Sequence, residues 1–457
     1  MSTEGAWSPG RAARAAVEKE KPGDGALPTS LSALAKELHL AMKGGLVDKA
    51  KAVVDSLVQS GSPEAYEIIM REAFAGDLYA VEQHAGAIVA RSTAPAVRAK
   101  VFRNCDWKTN TNFKSRIVHL AVAAAMADDP GALRAIHAAL RDPNRPVMFA
   151  AIYWTRKLNQ KESLEPLVAA LQEKEKKPED RAYHDLLNAL RAISGANLQV
   201  SVDWKNFLKG QAQGAPPPVS RKDSPTAIYR RPTFFSVDVD SDSVVFLIDT
   251  SQSMLIRDPP PPPPRVVGRG PDTSGGDEHR GKTVVVKKEA EKKSDDLKPK
   301  EPPRNRERLF RVKEELVRVL SSLPEKTRFG IVSFNHEISW IDGSKTLRAA
   351  TAANKSAAIE WVKALVANGA TRTDLALEEA LSLPDVDTVY LLTDGAPRDL
   401  GNQRIEVGPI LVQAKEANRF LRARIHTISF AQIGDSRMKY FVQYLAAQND
   451  GSCTLLP

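Results

Sequence analysis

Apolar positions along the chain follow two rhythms, and the change falls near residue 240. From Leu31 to about Lys209 they recur every three or four residues, as on one face of a helix. Leu31, Leu34, Leu38 and Met42 step in this way, and residues 117–126 and 133–140 repeat the habit with Asp128-Asp129-Pro130 between them. Beyond residue 240 the rhythm becomes short continuous runs at 244–248, 329–334, 388–392 and 425–430. Such β-branched runs suit strands buried on both faces. Helical segments at 309–323, 356–366, 375–383, 410–421 and 438–447 alternate with them. Strand–helix alternation predicts right-handed crossovers and a mainly parallel sheet. Residues 338–341 follow the second run after only a tight turn, which predicts an antiparallel edge strand.

The helical stretch also repeats itself. Ala139-Leu140-Arg141-Asp142-Pro143 closes one helix, and Ala170-Leu171-Gln172 closes a comparable one about 31 residues later. Between them, residues 146–152 form an apolar helix with proline in its first turn, where proline is tolerated. Residues 183–193 repeat its role. A period near 30 residues made of helix pairs predicts a solenoid, each pair burying its face against its neighbours. Over residues 132–194 the sequence resembles HEAT-type repeats. Residues 193–197, followed by Val202-Asp203-Trp204-Lys205-Asn206-Phe207, are similar to the Trp-bearing end cap of some bacterial HEAT arrays. Residues 30–130 read as helices without a visible period. The expected organisation is a disordered tail at 1–29, a HEAT-like helical solenoid at 30–209, a linker at 210–241 with Pro216-Pro217-Pro218, and an α/β doubly wound domain at 242–457.

Composition narrows the class. At 457 residues, 42% hydrophobic and 26% charged, the chain is neither collagen-like nor wholly disordered. It contains no run of about 18 apolar residues, so no transmembrane segment is expected. Residues 1–21 lack the apolar stretch of a signal peptide. Two cysteines, Cys105 and Cys453, supply neither a disulfide framework nor a four-ligand zinc site. A cytoplasmic location is the expectation. The net charge of +9 is spread along the chain, and no segment is basic enough to argue for nucleic acid. Half of the 30 prolines fall in residues 210–241 and 256–308, two segments that read as connections, not core.

The chemistry gathers at strand ends. In an open α/β sheet, ligands sit beyond the carboxyl ends of the strands, where strand order reverses. The first run ends in Asp249-Thr250-Ser251-Gln252-Ser253, another in Thr393-Asp394-Gly395, and Gly369-Ala370-Thr371 lies on a loop between them. Two carboxylates and three hydroxyls are hard oxygen donors, suited to Mg²⁺, Mn²⁺ or Ca²⁺ and not to zinc or copper. Asp249-x-Ser251-x-Ser253 with Thr371 and Asp394 downstream resembles the metal-ion-dependent adhesion site of von Willebrand factor A domains, over about residues 242–457. The resemblance implies that Ser251, Ser253 and Thr371 coordinate a divalent cation, most simply Mg²⁺, while Asp249 and Asp394 bind directly or through water. It further implies an open coordination position that takes an Asp or Glu side chain of a protein partner. One departure from the family stands out. About 50 residues, 256–306, separate the Ser-x-Ser loop from the next helix; they begin with six prolines and read as a disordered, charged insertion beside the site. It either gates the binding face or is carried passively.

Other signals carry less. Residues 276–283 match the Walker A pattern by letter, yet no strand precedes them and no helix follows. Asp238, Asp240 and Asp242 alternate like the start of an EF-hand loop, but Ser243 stands where glycine is needed and a strand follows. The eight histidines have no cluster spacing. Ser251 and Ser253 have no base in any motif position, and the Gly-x-Ser-x-Gly elbow is absent, so acyl transfer is not expected. The expectation is a non-enzymatic interaction or adhesion protein. The alternative is an accessory subunit beside an AAA+ ATPase or a metal chelatase.

Overall fold

The computed structural model describes residues 31–212, 231–258, 306–401, 403–430 and 436–456. The expected tail at 1–29, the Walker-like letters at 276–283 and nearly all of the insertion lie outside the described residues.

The first half is helical: α1 (Leu31–Lys43), α2 (Val47–Gln59), α3 (Pro63–Ala73), α4 (Tyr79–Ala90), α5 (Pro95–Arg103), α6 (Phe113–Ala125), α7 (Pro130–Ala139), α8 (Arg145–Leu158), α9 (Leu164–Lys174), α10 (Arg181–Ser194) and α11 (Ser201–Ala212). Local sequence starts many of them. Ser62, Asn112, Asp129, Asn144 and Asp180 each sit in extended backbone and accept a hydrogen bond from a first-turn amide, a cap that contributes about 0.5–2 kcal/mol. The helices stack in two layers: α1, α3, α5 and α7 in one, α2, α4, α6, α8 and α10 in the other. One continuous core runs from Leu34 to Phe207. The repeat habit therefore covers α1–α6 as well, where the sequence alone shows only helices. On α11, Trp204 is fully buried and meets Phe207 edge-on at 5.8 Å. The helix packs on α9 and closes the stack, as the end-cap resemblance implies.

The second half contains β1 (Thr233–Phe234), β2 (Val237–Asp238), β3 (Ser243–Asp249), α12 (Arg308–Ser322), β4 (Arg328–Phe334), β5 (Ile338–Trp340), β6 (Arg348–Ala349), α13 (Ala352–Ala364), α14 (Thr373–Leu381), β7 (Thr388–Thr393), α15 (Val407–Asn418), β8 (Arg424–Phe430), α16 (Ser436–Gln448) and β9 (Cys453–Leu456). The main sheet has the order β5-β4-β3-β7-β8-β9, with β6 also on β4. β4, β3, β7, β8 and β9 are parallel, and β5 and β6 pair antiparallel to β4. β3 is buried along its whole length; Val244, Phe246 and Ile248 face one core with α12, while Val245 and Leu247 face the other with α14 and α16. From β3 the chain pairs first with β4 on one side and later with β7 on the other, so strand order reverses at β3.

One boundary is corrected. Residues 231–241 are not linker. β1 and β2 form a small antiparallel hairpin whose Phe234 is buried against Phe246 at 5.3 Å, and the Tyr390 hydroxyl donates to the Asp238 carbonyl at 2.7 Å. The hairpin is only two pairs long, too short to announce itself by alternation.

The two halves meet at the amino-terminal edge of the sheet, on the α4, α6, α8 and α10 layer. Arg145 reaches Asp242 at 2.9 Å and Asp180 at 3.3 Å and also pairs with Asp387. Arg181 donates to the Asp387 carbonyl at 2.6 Å and to Asp185 at 3.0 Å, with its guanidinium 4.1 Å over the Phe149 ring. Arg424 pairs with Asp185 and reaches Asp240 at 2.9 Å. Asp240 and Asp242, which alternate in the sequence like an ion loop, are here part of a charge cluster that fastens the two halves. Burial pushes Asp240 and Asp387 up to about 6 against the pull of the arginines. Beside this cluster lies a cavity of about 440 Å³ between the halves, with small residues such as Gly86, Ala87 and Ala121 on one wall and Arg419 and Phe420 on the other. The faces of α4, α8 and α10 on this layer thus meet the chain's own α/β half.

Candidate metal centre

The opposite edge of the sheet brings the five expected residues together. β3 ends in Asp249, and the Thr250 amide donates to the Phe334 carbonyl of β4 at 2.8 Å, which turns the following loop across the strand ends. Within that loop the Ser251 amide donates to Asp249 Oδ1 at 2.8 Å. The loop bearing Thr371 is tied to it from both sides: Gln252 N–H donates to the Gly369 carbonyl at 3.1 Å and Asn368 N–H to the Thr250 carbonyl at 2.8 Å. Gly369 has φ +70° and packs on His336 so closely that a Cβ would sit 2.0 Å from its ring, so only glycine turns the chain here. A third loop, after β7, supplies Asp394, and the Arg398 amide donates to the Thr371 carbonyl at 2.8 Å.

Ser251 Oγ and Ser253 Oγ are 3.1 Å apart, and the Ser253 hydroxyl donates to Asp394 Oδ1 at 2.6 Å. A Cβ on Gly395 would lie 3.4 Å from both Ser253 Oγ and Thr371 Oγ1, so the two hydroxyls share a cradle that any larger residue would fill. Adjacent ligands of an octahedral ion at about 2.1 Å stand about 3 Å apart. The serine spacing and the all-oxygen donor set therefore fit a hard divalent cation. Only two of the five groups are carboxylates, and among the described residues no three His, Cys, Asp or Glu side chains gather as metal ligands.

Asp249, Thr371 and Asp394 are buried. Burial, reinforced by the neighbouring Asp394, pushes Asp249 up to about 7, against hydrogen bonds from Ser251 and Thr393. Burial also raises Asp394, opposed by Ser253 and Arg308. Two neighbouring carboxylates in this setting are an unfavourable charge arrangement until a cation joins them.

Three participants were not visible as such in the sequence. The Thr393 hydroxyl donates to Asp249 Oδ2 at 2.6 Å and fixes that carboxylate. Arg308 Nη1 donates to the other Asp394 oxygen at 2.7 Å, while its Nε donates to Asp258 at 3.0 Å. Arg308 and Asp258 stand at the two ends of the long insertion, where sequence distance hides their proximity; Thr393 ends its strand beside Asp394, and nothing in the sequence shows that its hydroxyl turns to Asp249. Around the site, Leu255, Ile256, Val366 and Leu400 are exposed, on the loops of this same edge.

Residues 306–454 match the family model described as von Willebrand factor type A domain. The match takes in Thr371 and Asp394 and begins after Asp249, Ser251 and Ser253. Among solved structures the chain is similar to a von Willebrand factor type A protein from Catenulispora acidiphila (18% identity, TM-score 0.32, 48% of this chain and 40% of that one). It is also similar to a mutant of the PilB minor pilin from Streptococcus sanguinis (14%, 0.29, 47% and 56%). A third is proximal thread matrix protein 1 from the mussel byssus (11%, 0.27, 59% and 52%). The chain spans between 40% and 56% of the length of these structures. The chain carries a von Willebrand factor type A domain behind an N-terminal helical repeat region.

Proposed function

We propose that this domain is a protein-interaction module whose carboxyl edge binds a divalent cation, most simply Mg²⁺, and through it an acidic side chain of a protein partner. The observation that carries the reading is the convergence of Ser251, Ser253 and Asp394 at hydrogen-bond distances, beside Asp249 and Thr371. Ser251, Ser253 and Thr371 would hold the ion through hydroxyl oxygens, with Asp249 and Asp394 direct or through water. Neutral hydroxyls leave a bound ion with net positive charge for a partner carboxylate. Exposed Leu255, Ile256, Val366 and Leu400 supply apolar contact around that point, as a protein interface core does. No enzymatic role is proposed: among the described residues the hydroxyls of Ser251 and Ser253 meet each other and the Asp394 carboxylate, which Arg308 also holds. The test is affinity capture from native lysate with Mg²⁺, with EDTA, and with Asp249→Ala. Partners are expected in the first condition and lost in the other two; equal recovery in all three would sink the reading. A reading as an accessory subunit beside an AAA+ ATPase gains support if the captured protein is such an ATPase.

A further inference from the structure

Asp394 already has a cation. Its Oδ1 accepts from Ser253, inside the donor cluster, and its Oδ2 accepts from Arg308 Nη1 at 2.7 Å. The Arg308 side chain is about 5% exposed, the Asp394 side chain is fully buried, and the guanidinium lies 5.1 Å over the Phe430 ring. This is a sequestered ion pair, not a surface contact, and solvent screens it weakly.

The same guanidinium is anchored on its other side. Arg308 Nε donates to Asp258 Oδ1 at 3.0 Å, and Asp258 also pairs with Arg311. Asp258 and Arg308 form the neck of the insertion. The backbone there zips together: Asp258 N–H donates to the Arg306 carbonyl at 3.0 Å, Arg308 N–H to the Ile256 carbonyl at 3.1 Å, and Arg257 bridges antiparallel to Glu307. Arg308 is thus shared between Asp394 and Asp258, while Asp249 accepts from the Ser251 amide and the Thr393 hydroxyl.

A divalent ion that claims Asp394 places two positive charges on the far side of the carboxylate that holds Arg308. Arginine cannot relieve the repulsion by losing its proton. Either the ion binds more weakly or the guanidinium is released from Asp394. We propose that Arg308 is a built-in competitor for the divalent cation at Asp394, tied through Asp258 to the neck of the insertion, so that cation affinity and the closure of that neck are linked. The inference rests on the metal-site reading above. Linkage makes the coupling reciprocal: cation binding loosens the neck, and whatever opens the neck and takes Arg308 away from Asp394 strengthens cation binding.

The test measures Mn²⁺ binding to the full chain by calorimetry and by the electron paramagnetic resonance of free Mn²⁺. Arg308→Gln removes the charge and can still donate to Asp394; it should bind Mn²⁺ about tenfold tighter than wild type, within the usual range of coupling between sites. Arg308→Lys keeps the charge and should stay within about threefold of wild type. In wild type itself, saturating Mn²⁺ should speed hydrogen exchange at the Asp258 and Arg308 amides, a readout that needs no variant to fold. Equal or weaker binding by Arg308→Gln, or unchanged neck exchange in a chain that does bind Mn²⁺, overturns the competitor role and leaves the metal site standing. If neither wild type nor Arg308→Gln binds Mn²⁺ above an Asp249→Ala control, the metal site itself fails, and the competitor with it.

Discussion

The two edges of the main sheet both hold buried charges and treat them in opposite ways. At the amino edge, Arg145, Arg181 and Arg424 interleave with Asp180, Asp185, Asp240, Asp242 and Asp387 from both halves of the chain, and each of these carboxylates meets an arginine. At the carboxyl edge, Asp249 meets hydroxyl and amide donors but no guanidinium among the described residues, Asp394 lies beside it, and the Arg308 guanidinium is divided between Asp394 and Asp258. In the first arrangement every carboxylate has a guanidinium partner. In the second, Asp249 has none among the described residues, which is the condition under which a site draws in an ion. Burial of charge alone does not separate structure from function; the presence or absence of a matched partner does.

The contrast can be broken most forcefully at the amino edge. Arg424→Ala would leave Asp240 and Asp185 buried with a partner missing, and should cost about 3–5 kcal/mol in urea unfolding. A loss under about 1 kcal/mol would mean the cluster does not hold the halves together. A middle-sized effect is expected where the matching is poor. Glu82, on the cavity wall, is buried, its Oε2 has no hydrogen-bond partner, and Arg419 stands 3.6 Å away. Burial raises it to about 7 despite Arg419. A carboxyl with a folded pKa above its unfolded value weakens the fold as pH rises from about 4 to about 7. Glu82→Gln should therefore be more stable than wild type at pH 8 by about 1–3 kcal/mol and no more stable at pH 4. The smallest effect sharpens the comparison from the other edge. In metal-free protein, Asp249→Asn removes one of two crowded carboxylates and should leave unfolding stability unchanged or raise it by about 1 kcal/mol, as at sites shaped for ligand rather than for the fold. A loss above about 2 kcal/mol would place Asp249 among the structural charges.

How much of this was legible in sequence depended on the range of the interaction. β3 and β8 fall within one residue of the runs at 244–248 and 425–430, because a strand buried on both faces must be apolar throughout. The start of α13 was misplaced by four residues: Thr351 accepts from the Asn354 amide and begins the helix at Ala352, through a stretch too polar to show periodicity. The five residues of the candidate metal centre could be named because they lie at strand ends or on the loops beyond them, in an order that resembles a known family's motif. Arg308 could not, since its role exists only after the neck brings residues 258 and 308 together. Arg145 and Arg181 were equally silent. At the start of a helix, a charged residue reads as solvated, and nothing nearby in the chain announces that strand ends more than 200 residues later will cover it.

The two-layer stacking of α1–α11 has a kinetic side. Its helices pack on neighbours at most two helices away in the chain, whereas β3 joins β7 across about 140 residues, Val245 opposite Val389. Local contacts form early and distant strand pairings late, and domains fold as units from the amino terminus during synthesis. Contacts of short range in the chain thus build the helical stack, while Arg145 and Arg181 on it meet Asp387 at the start of β7 more than 200 residues later, so the register of the sheet is fixed against a surface that depends on none of its strands.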